Sequence, residues 1–551
     1  MHLNKKIILD YLVPFFIFLI FFVIGLNVYK DYGISFDEDL HRETGRLYYY
    51  YLKSFFINLN LSEKTFVSDI KTAIQEFPFI DGRLRLSIMV PAFFDIIVEF
   101  YIDLKNIIAI KEIFFTRHLF NFLFFLVGCY FFYLILLKTF ENKIYAYFGL
   151  LFLFFSPRIF SESFYNCKDI IFLSVTMVFI FFSIKFFEKK SYLNAILFGI
   201  FSALAFVIRL PAIVYIFAAY LMFFLQSMDD EKFLITNYKF LTTSLLTTII
   251  FVYIFWPYLW TDPFNHLFYY LKVAVKNVPN IQNYYLGEYF NFKNSPWHYS
   301  LIWIIVTIPI SITIFFTIGF LKMLINAIKN LLLADQKNHK FWKSKKEMFD
   351  YYFLMIILLA FITKIKFGLD YDGWRQIYFL YPFIVLIALK GVYYVNLKLK
   401  FNRMVNVIFL TLFLELFFLT FWIYKYHPHQ YVFFNPFFKN LVVEKMELDY
   451  WGVSNRSSLE FINKTDNRNK IKIATISFAS LGNNLKIMNK NDRKKLLIVD
   501  DLNHADYVID SYRKEWNKPP SFFNLFKTKF KKIYDLKIDG NVINSIYKGE
   551  N

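Results

Sequence analysis

Residues 117–138 read RHLFNFLFFLVGCYFFYLILLK, an uncharged apolar run enclosed between Arg117-His118 and Lys138. As a helix rising 1.5 Å per residue, this stretch matches the ~30 Å hydrocarbon core of a bilayer. Working outward, similar windows recur near 7–27, 144–160, 170–187, 192–208, 211–226, 240–257, 300–325, 350–366, 375–396 and 404–424. The reading is therefore a polytopic α-helical membrane protein of about eleven spans. A soluble enzyme, a disordered chain and an outer-membrane barrel are excluded, the last because its strands would alternate polar with apolar residues.

Composition agrees. Of 551 residues, 57% are hydrophobic and 19% charged, where a soluble domain carries roughly a quarter charged. Mean hydropathy is +0.41. The net charge of +19 would suggest nucleic acid in a soluble chain; here its place is in loops facing an anionic leaflet. The 75 Phe and 40 Tyr read as the codon bias of an AT-rich genome before any aromatic binding function. Cys129 and Cys167 are the only cysteines, so neither a disulfide framework nor a cysteine metal cluster is available. The opening MHLNKK leads into an apolar run with no small-residue cleavage site after it, which predicts an uncleaved first span.

The positive-inside rule sets the expected orientation. With a cytoplasmic N-terminus, the inside segments carry Lys5/Lys6, Lys138/Lys143, Lys185/Lys189/Lys190, Lys232/Lys239, the cluster from Lys322 to Lys346, and Lys398/Lys400/Arg403. An odd number of spans then puts the C-terminus outside. Two outside segments are long. Residues 28–116 hold semi-apolar stretches broken by Asp95 and Glu99, expected as helices lying in the interface; a crossing at 86–103 is the alternative. From 435 to 551 the chain turns polar, with a helix-like SSLEFINK and β-like runs KIKIATISF, KKLLIVDD and ADYVIDSY. The closing KKIYDLKIDGNVINSIYKG predicts a hairpin turning at Asp539-Gly540, a favoured type I′ pair. The expected organisation is a membrane domain, 1–434, and a small extracytoplasmic α/β domain, 435–551, with neither internal repeat nor inverted symmetry.

Unusual polar residues gather on the outer side. DYGISFDEDLHRETG supplies Asp37 and Glu38; SPRIFSESFYNCKDIIF supplies Arg158, Glu162, Asn166, Lys168 and Asp169; VIRLP supplies Arg209. Further outer segments are WPYLWTDPFNH, with Asp262 and His266, then LDYDGWRQ, with Arg375, and YKYHPHQYVFFN. A carboxylate at the mouth of a membrane cavity can deprotonate a hydroxyl. Arginine and lysine at the same level can grip a phosphate whose lipid tail stays in the bilayer. Aromatic faces offer stacking for sugars. Together these suit group transfer from a lipid-phosphate donor, and the chain contains no P-loop or dinucleotide glycine pattern.

The order of these motifs resembles the GT-C glycosyltransferases, among them the dolichyl-phosphate-mannose-protein O-mannosyltransferases and the aminoarabinose transferases of lipid A. The resemblance runs from the first span and the outer pair Asp37-Glu38, through Arg117-His118, SPRIF…SFYNCKD, AFVIRLP and DGWRQIYFLYPF. It ends at HPHQYVFFNP and LDYWGVSNRSSLEFIN. It implies a polyprenyl-phosphate-sugar donor, an inverting displacement at the anomeric carbon, and a protein, lipid or glycan acceptor, with membrane lipids around it and no nucleic acid. Asp37 matches the catalytic aspartate and would act as general base, with Glu38 in support. Arg117, Arg158, Lys168, Arg209 and Arg375 are then candidates for the donor phosphate or for structural ion pairs. No cofactor is certain from the sequence; the carboxylates near Asp37 could hold a divalent cation or none.

Each residue also has a plainer reading. Asp37 and Glu38 could cap an interfacial helix, and Asp169 could cap the span it precedes. Lys168 and Arg158 could be interfacial anchors. Asp262 and His266, four apart, have no third metal ligand in view. His427 and His429 are expected at the base of the tail domain, and DYWG at 449–452 as a docking turn rather than a recognition element for a glycosylation sequon. The competing functions are a polysaccharide polymerase or ligase, a lipid-linked-sugar flippase or transporter, and a scaffold. A transporter would favour mid-span charges and repeat symmetry.

Overall fold

In a computed structural model, residues 12–56, 92–229, 232–276, 282–333, 341–367, 370–399, 402–478, 481–513 and 520–550 are described. The membrane part is built from α1 (Val13–Val28), α2 (Glu38–Lys53), α3 (Phe93–Leu104), α4 (Ile110–Thr139), α5 (Lys143–Phe154), α6 (Pro157–Tyr165) and α7 (Asp169–Glu188). It continues with α8 (Tyr192–Ile208), α9 (Ala212–Asp229), α10 (Phe233–Phe255), α11 (Pro263–Lys276), α12 (Tyr299–Thr307), α13 (Ile310–Leu332), α14 (Lys345–Phe367), α15 (Tyr381–Lys398) and α16 (Asn402–Lys425).

The described residues of each apolar window are helical over most of their length. Among the described residues, seven helices are long and apolar enough to cross a bilayer, or eight if α5 and α6 are one broken span bent by 60°. The three remaining windows correspond to α1, α8 and α9, apolar helices of 16, 17 and 18 described residues. Window 300–325 divides at Pro309 into α12 and α13. The protein is a multi-pass membrane protein.

Burial separates inner from outer helices. The apolar window of α7 is 83% buried and that of the segment Arg375–Lys398 is 89% buried, against 6% for α10 and 17% for α16. The first two are therefore surrounded by protein, whereas α10 and α16 present Leu245, Ile249, Phe413 and Phe417 outward. Helices α13 and α15 cross at two glycines: a Cβ on Gly319 would collide with the Ile387 carbonyl, and one on Gly391 with the Phe315 carbonyl. Small residues of this kind let membrane helices approach backbone to backbone.

In the first loop, α2 buries His41, Thr44, Leu47, Tyr48 and Tyr51 on one face, and α3 buries Phe94, Val98 and Ile102 on another. Much of the stretch between them, including the first part of 86–103, lies outside the described residues.

Beyond α16, helix α17 (Asn455–Thr465) packs on a five-stranded mixed sheet of order β4-β3-β5-β7-β6. Its strands are β3 (Ile471–Thr475), β4 (Leu496–Ile498), β5 (Tyr507–Asp510), β6 (Phe530–Ile538) and β7 (Asn541–Gly549). β3 pairs in parallel with β4 and β5, and β7 runs antiparallel to β5 and β6. Each β-like run of the sequence is a strand. The closing turn has Asp539 at φ +49° and Gly540 at φ +84°, the pair of left-handed residues that a type I′ hairpin needs. A separate hairpin, β1 (Gln282–Tyr285) with β2 (Glu288–Asn291), precedes α12.

Candidate active site

The two ends of the helix bundle differ in their ion pairs. One end joins Lys138 to Glu188 and Lys346 to Glu141. At the other end Asp37, Lys168, Asp169, Arg209 and Arg375 come together, brought there by the loop before α2, the starts of α7 and α15, and the end of α8.

Asp37 immediately precedes α2 but does not cap it: its side chain makes no capping hydrogen bond and its backbone is helical. Its carboxylate turns instead to Arg375, whose Nη1 lies 3.4 Å from Oδ2, and keeps 28% of its side-chain surface exposed. Burial pushes this carboxyl up, but Arg375, His41, Lys168 and Arg513 outweigh it and hold it below the ordinary carboxylate range. Glu38 is almost fully buried. One oxygen accepts from the Ser35 amide at 2.7 Å and the other lies 3.0 Å from His118 Nε2. It braces the turn that carries Asp37.

Asn166 organises the start of α7. Its Oδ1 accepts from the Asp169 amide at 2.9 Å, and its Nδ2 donates to Glu162 and Asp169. Asp169 ion-pairs with Arg209, and with Arg375 Nη1 at 3.1 Å. Arg209 also donates to Gln376; burial lowers its pKa to about 10, so it remains charged at neutral pH. Arg375 opens the 3₁₀ turn leading into α15, lies over the Trp451 ring at 4.5 Å, and gives Nη2 to Asp372 at 2.9 Å.

Lys168 differs from these arginines. It is half-buried, and among the described residues its ammonium has neither an ion pair nor a hydrogen bond. Burial and the neighbouring Arg209 lower its pKa to about 8, partly opposed by Asp37. Each arginine of the cluster is matched by a carboxylate, and Lys168 is the cation left over.

The other candidates stand apart. Arg117 is buried against Asp95 and Glu99, beside His41, whose pKa burial lowers to about 4. Arg158 is buried with its guanidinium over the Trp303 ring at 5.3 Å. Close by, Glu162 accepts from Tyr378 and Tyr450 at 2.7 and 3.0 Å. Asp262 accepts from the Asn265 amide at the start of α11, as a capping residue does. His266 instead stacks on Tyr258 and approaches its carbonyl at 2.6 Å, so the pair shares no metal position. Among the described residues no group of three or more His, Cys, Asp or Glu side chains could hold a metal ion.

Residues 97–256 match the family model for dolichyl-phosphate-mannose-protein mannosyltransferases. That match covers less than a third of the chain and agrees with the resemblance carried by its motifs. The solved structure of ArnT from Cupriavidus metallidurans bound to undecaprenyl phosphate is similar at 10% identity and TM-score 0.48, over 99% of this chain and 98% of that one. The apo state of the same protein gives 10% identity and TM-score 0.44, over 97% and 98%. No curated protein sequence matches the chain.

Three groups that touch the site escaped the reading of the sequence. Asp372 lies in the quoted LDYDGWRQ but had no partner in view. Arg513 and Asn484 come from the polar tail. Asn484 brackets Ile34, accepting from its amide at 2.9 Å and donating to its carbonyl at 3.1 Å. The Phe36 amide donates to the Trp451 carbonyl at 3.0 Å, so the DYWG turn does dock, and it docks on the segment that carries Asp37. His427 and His429 lie at the same seam, against Asp31 and Ser457.

Proposed function

We propose that the chain transfers a sugar from a polyprenyl-phosphate donor to an acceptor hydroxyl of a protein, lipid or glycan, with inversion, on the extracytoplasmic side of the cytoplasmic membrane. Residues 1–434 form the membrane domain in this reading and residues 435–551 an extracytoplasmic one. The observation that carries it is the nearness of two groups: the part-exposed Asp37 carboxylate, held on one oxygen by Arg375, and the Lys168 ammonium, which has no ion pair among the described residues.

The acceptor O–H donates to an Asp37 oxygen. As the acceptor oxygen bonds to the anomeric carbon from the face opposite the phosphate, the bond from that carbon to the phosphate oxygen breaks. The electron pair leaves with the phosphate, where Lys168 meets the developing charge. The proton passes to Asp37. A carboxylate held below its usual range is a weak base toward a free alcohol. It becomes adequate once bonding to carbon has acidified that oxygen, so proton transfer comes late. Arg375 and Arg209 already have carboxylate partners, and their role is to hold Asp37 and Asp169 in place.

Purified protein is tested against a panel of labelled polyprenyl-phosphate sugars with candidate acceptors, wild type beside Asp37→Asn. Turnover by the wild type that falls on the order of 10²- to 10⁴-fold in the variant is expected for loss of a general base. Equal turnover by both proteins removes Asp37 from the mechanism. No turnover on any donor by folded wild-type protein removes the function.

A further inference from the structure

Arg513 follows β5 in the polar tail, yet it is only 7% exposed and reaches the membrane domain. Its Nη2 pairs with Asp372 Oδ1 at 2.8 Å, Nη1 donates to the Tyr450 carbonyl, and Nε faces Glu447 at 3.6 Å. The guanidinium lies over Phe478, 5.0 Å from the ring centre. Asp372 therefore bridges two arginines. Oδ1 takes Arg513 and Oδ2 takes Arg375 Nη2, which leaves Arg375 Nη1 for Asp37 and Asp169. Asp372 sits at φ +56°, a left-handed conformation uncommon for a residue with a Cβ, and both of its oxygens are occupied in it.

We propose that Arg513 is a positioning residue: it fixes Asp372, Asp372 fixes the fork of Arg375, and Arg375 aims the Asp37 carboxylate. The tail is then part of the active site and more than a cover over it. A planar guanidinium suits this task, because its two-pronged geometry sets direction as well as charge. The inference rests on Asp37 being the general base.

The test measures kcat, KM and the pH profile of Arg513→Gln, Arg513→Lys, Asp372→Asn and the double variant Arg513→Gln/Asp372→Asn, with Asp37→Asn as reference. The charged and titratable groups acting on Asp37 include Arg375, His41, Lys168 and Arg513, with Arg209 and Cys167 also in range. Weakening two of them in Arg513→Gln should move the acidic limb of kcat/KM to higher pH. Misaiming the carboxylate should lower kcat on the order of 10- to 100-fold, with donor KM little changed. Arg513→Lys should recover part of kcat. The double variant should lose no more than the worse single variant, since both changes break one chain of contacts.

Losses that multiply in the double variant, or an acidic limb unmoved in Arg513→Gln, would overturn the proposal. So would an Arg513→Gln enzyme as fast as wild type while Asp37→Asn is dead, and in that case the assigned function still stands. If wild type turns over no donor at all, the function falls and this inference falls with it.

Discussion

At Lys168 a single ammonium carries what the neighbouring arginines do not. Arg209 and Arg375 are matched to Asp169, Asp37 and Asp372, and removing a partner from such a buried pair typically costs 3–5 kcal/mol. Their substitution therefore mixes function with folding. Lys168 has no such entanglement. Lys168→Met is expected to lower kcat/KM for the donor about 10- to 100-fold, the worth of one charged hydrogen bond, with the melting temperature unchanged. Burial and Arg209 lower the Lys168 pKa to about 8, so its charge is present below that pH and lost above it, and kcat/KM of the wild type should fall as pH rises through 8. On the acidic side the sign is opposite. Asp37 is held below the ordinary carboxylate range, so kcat should persist to a lower pH than an ordinary aspartate would allow before falling. Steady-state kinetics across pH checks both limbs. At this scale the sequence could not separate Lys168 from Arg117. Both stand beside an outer apolar run, and only the fold shows that Asp95 and Glu99 already occupy Arg117.

Among the elements, α7 and α15 form the rigid floor of the site because they are enclosed by protein along most of their length. Charged groups at their first turns are thus held by buried helices and do not depend on loops alone. The Gly319–Gly391 crossing sets how closely α13 approaches α15. Gly391→Leu must push a side chain into the Phe315 carbonyl, and overpacking of that kind costs typically 1–3 kcal/mol. The expected result is a lowered melting temperature together with reduced activity, since α15 begins just after Arg375; a thermal melt of the purified variant in detergent measures it. Hydrophobic windows made these helices legible, because bilayer thickness imposes a length that sequence must meet. The 60° break between α5 and α6 was hidden for a related reason. SPRIF reads as the end of a span, and nothing local shows that Arg158 and Glu162 turn inward at Pro157 rather than outward to water.

Across the whole molecule, the candidate site draws on positions 37, 168, 169, 209, 372, 375 and 513. The tail was legible as an α/β unit from its alternating runs and its Asp-Gly turn, and DYWG as its docking turn, while the contacts made by Asn484 and Arg513 were not. Long-range contacts such as Asn484 to Ile34 leave no periodic trace, and Arg513 sits among many solvated lysines. Asn484→Ala should leave the Ile34 amide and carbonyl without their partners at a cost of about 2 kcal/mol. Faster hydrogen exchange at Ile34 is the expected signature, with unchanged exchange in β3 and β5 showing that the tail itself remains folded.

The Arg513–Asp372 pair also orders events during synthesis. A nascent chain whose helices have all been inserted already holds Asp37, Lys168, Asp169, Arg209 and Arg375. It lacks the guanidinium that orients them, because Arg513 leaves the ribosome after the last membrane helix, Asn402–Lys425. If the clamp acts as inferred, a half-made enzyme stays silent while its helices are still sorting themselves in the lipid. Competence then arrives when the final sheet closes against the bundle.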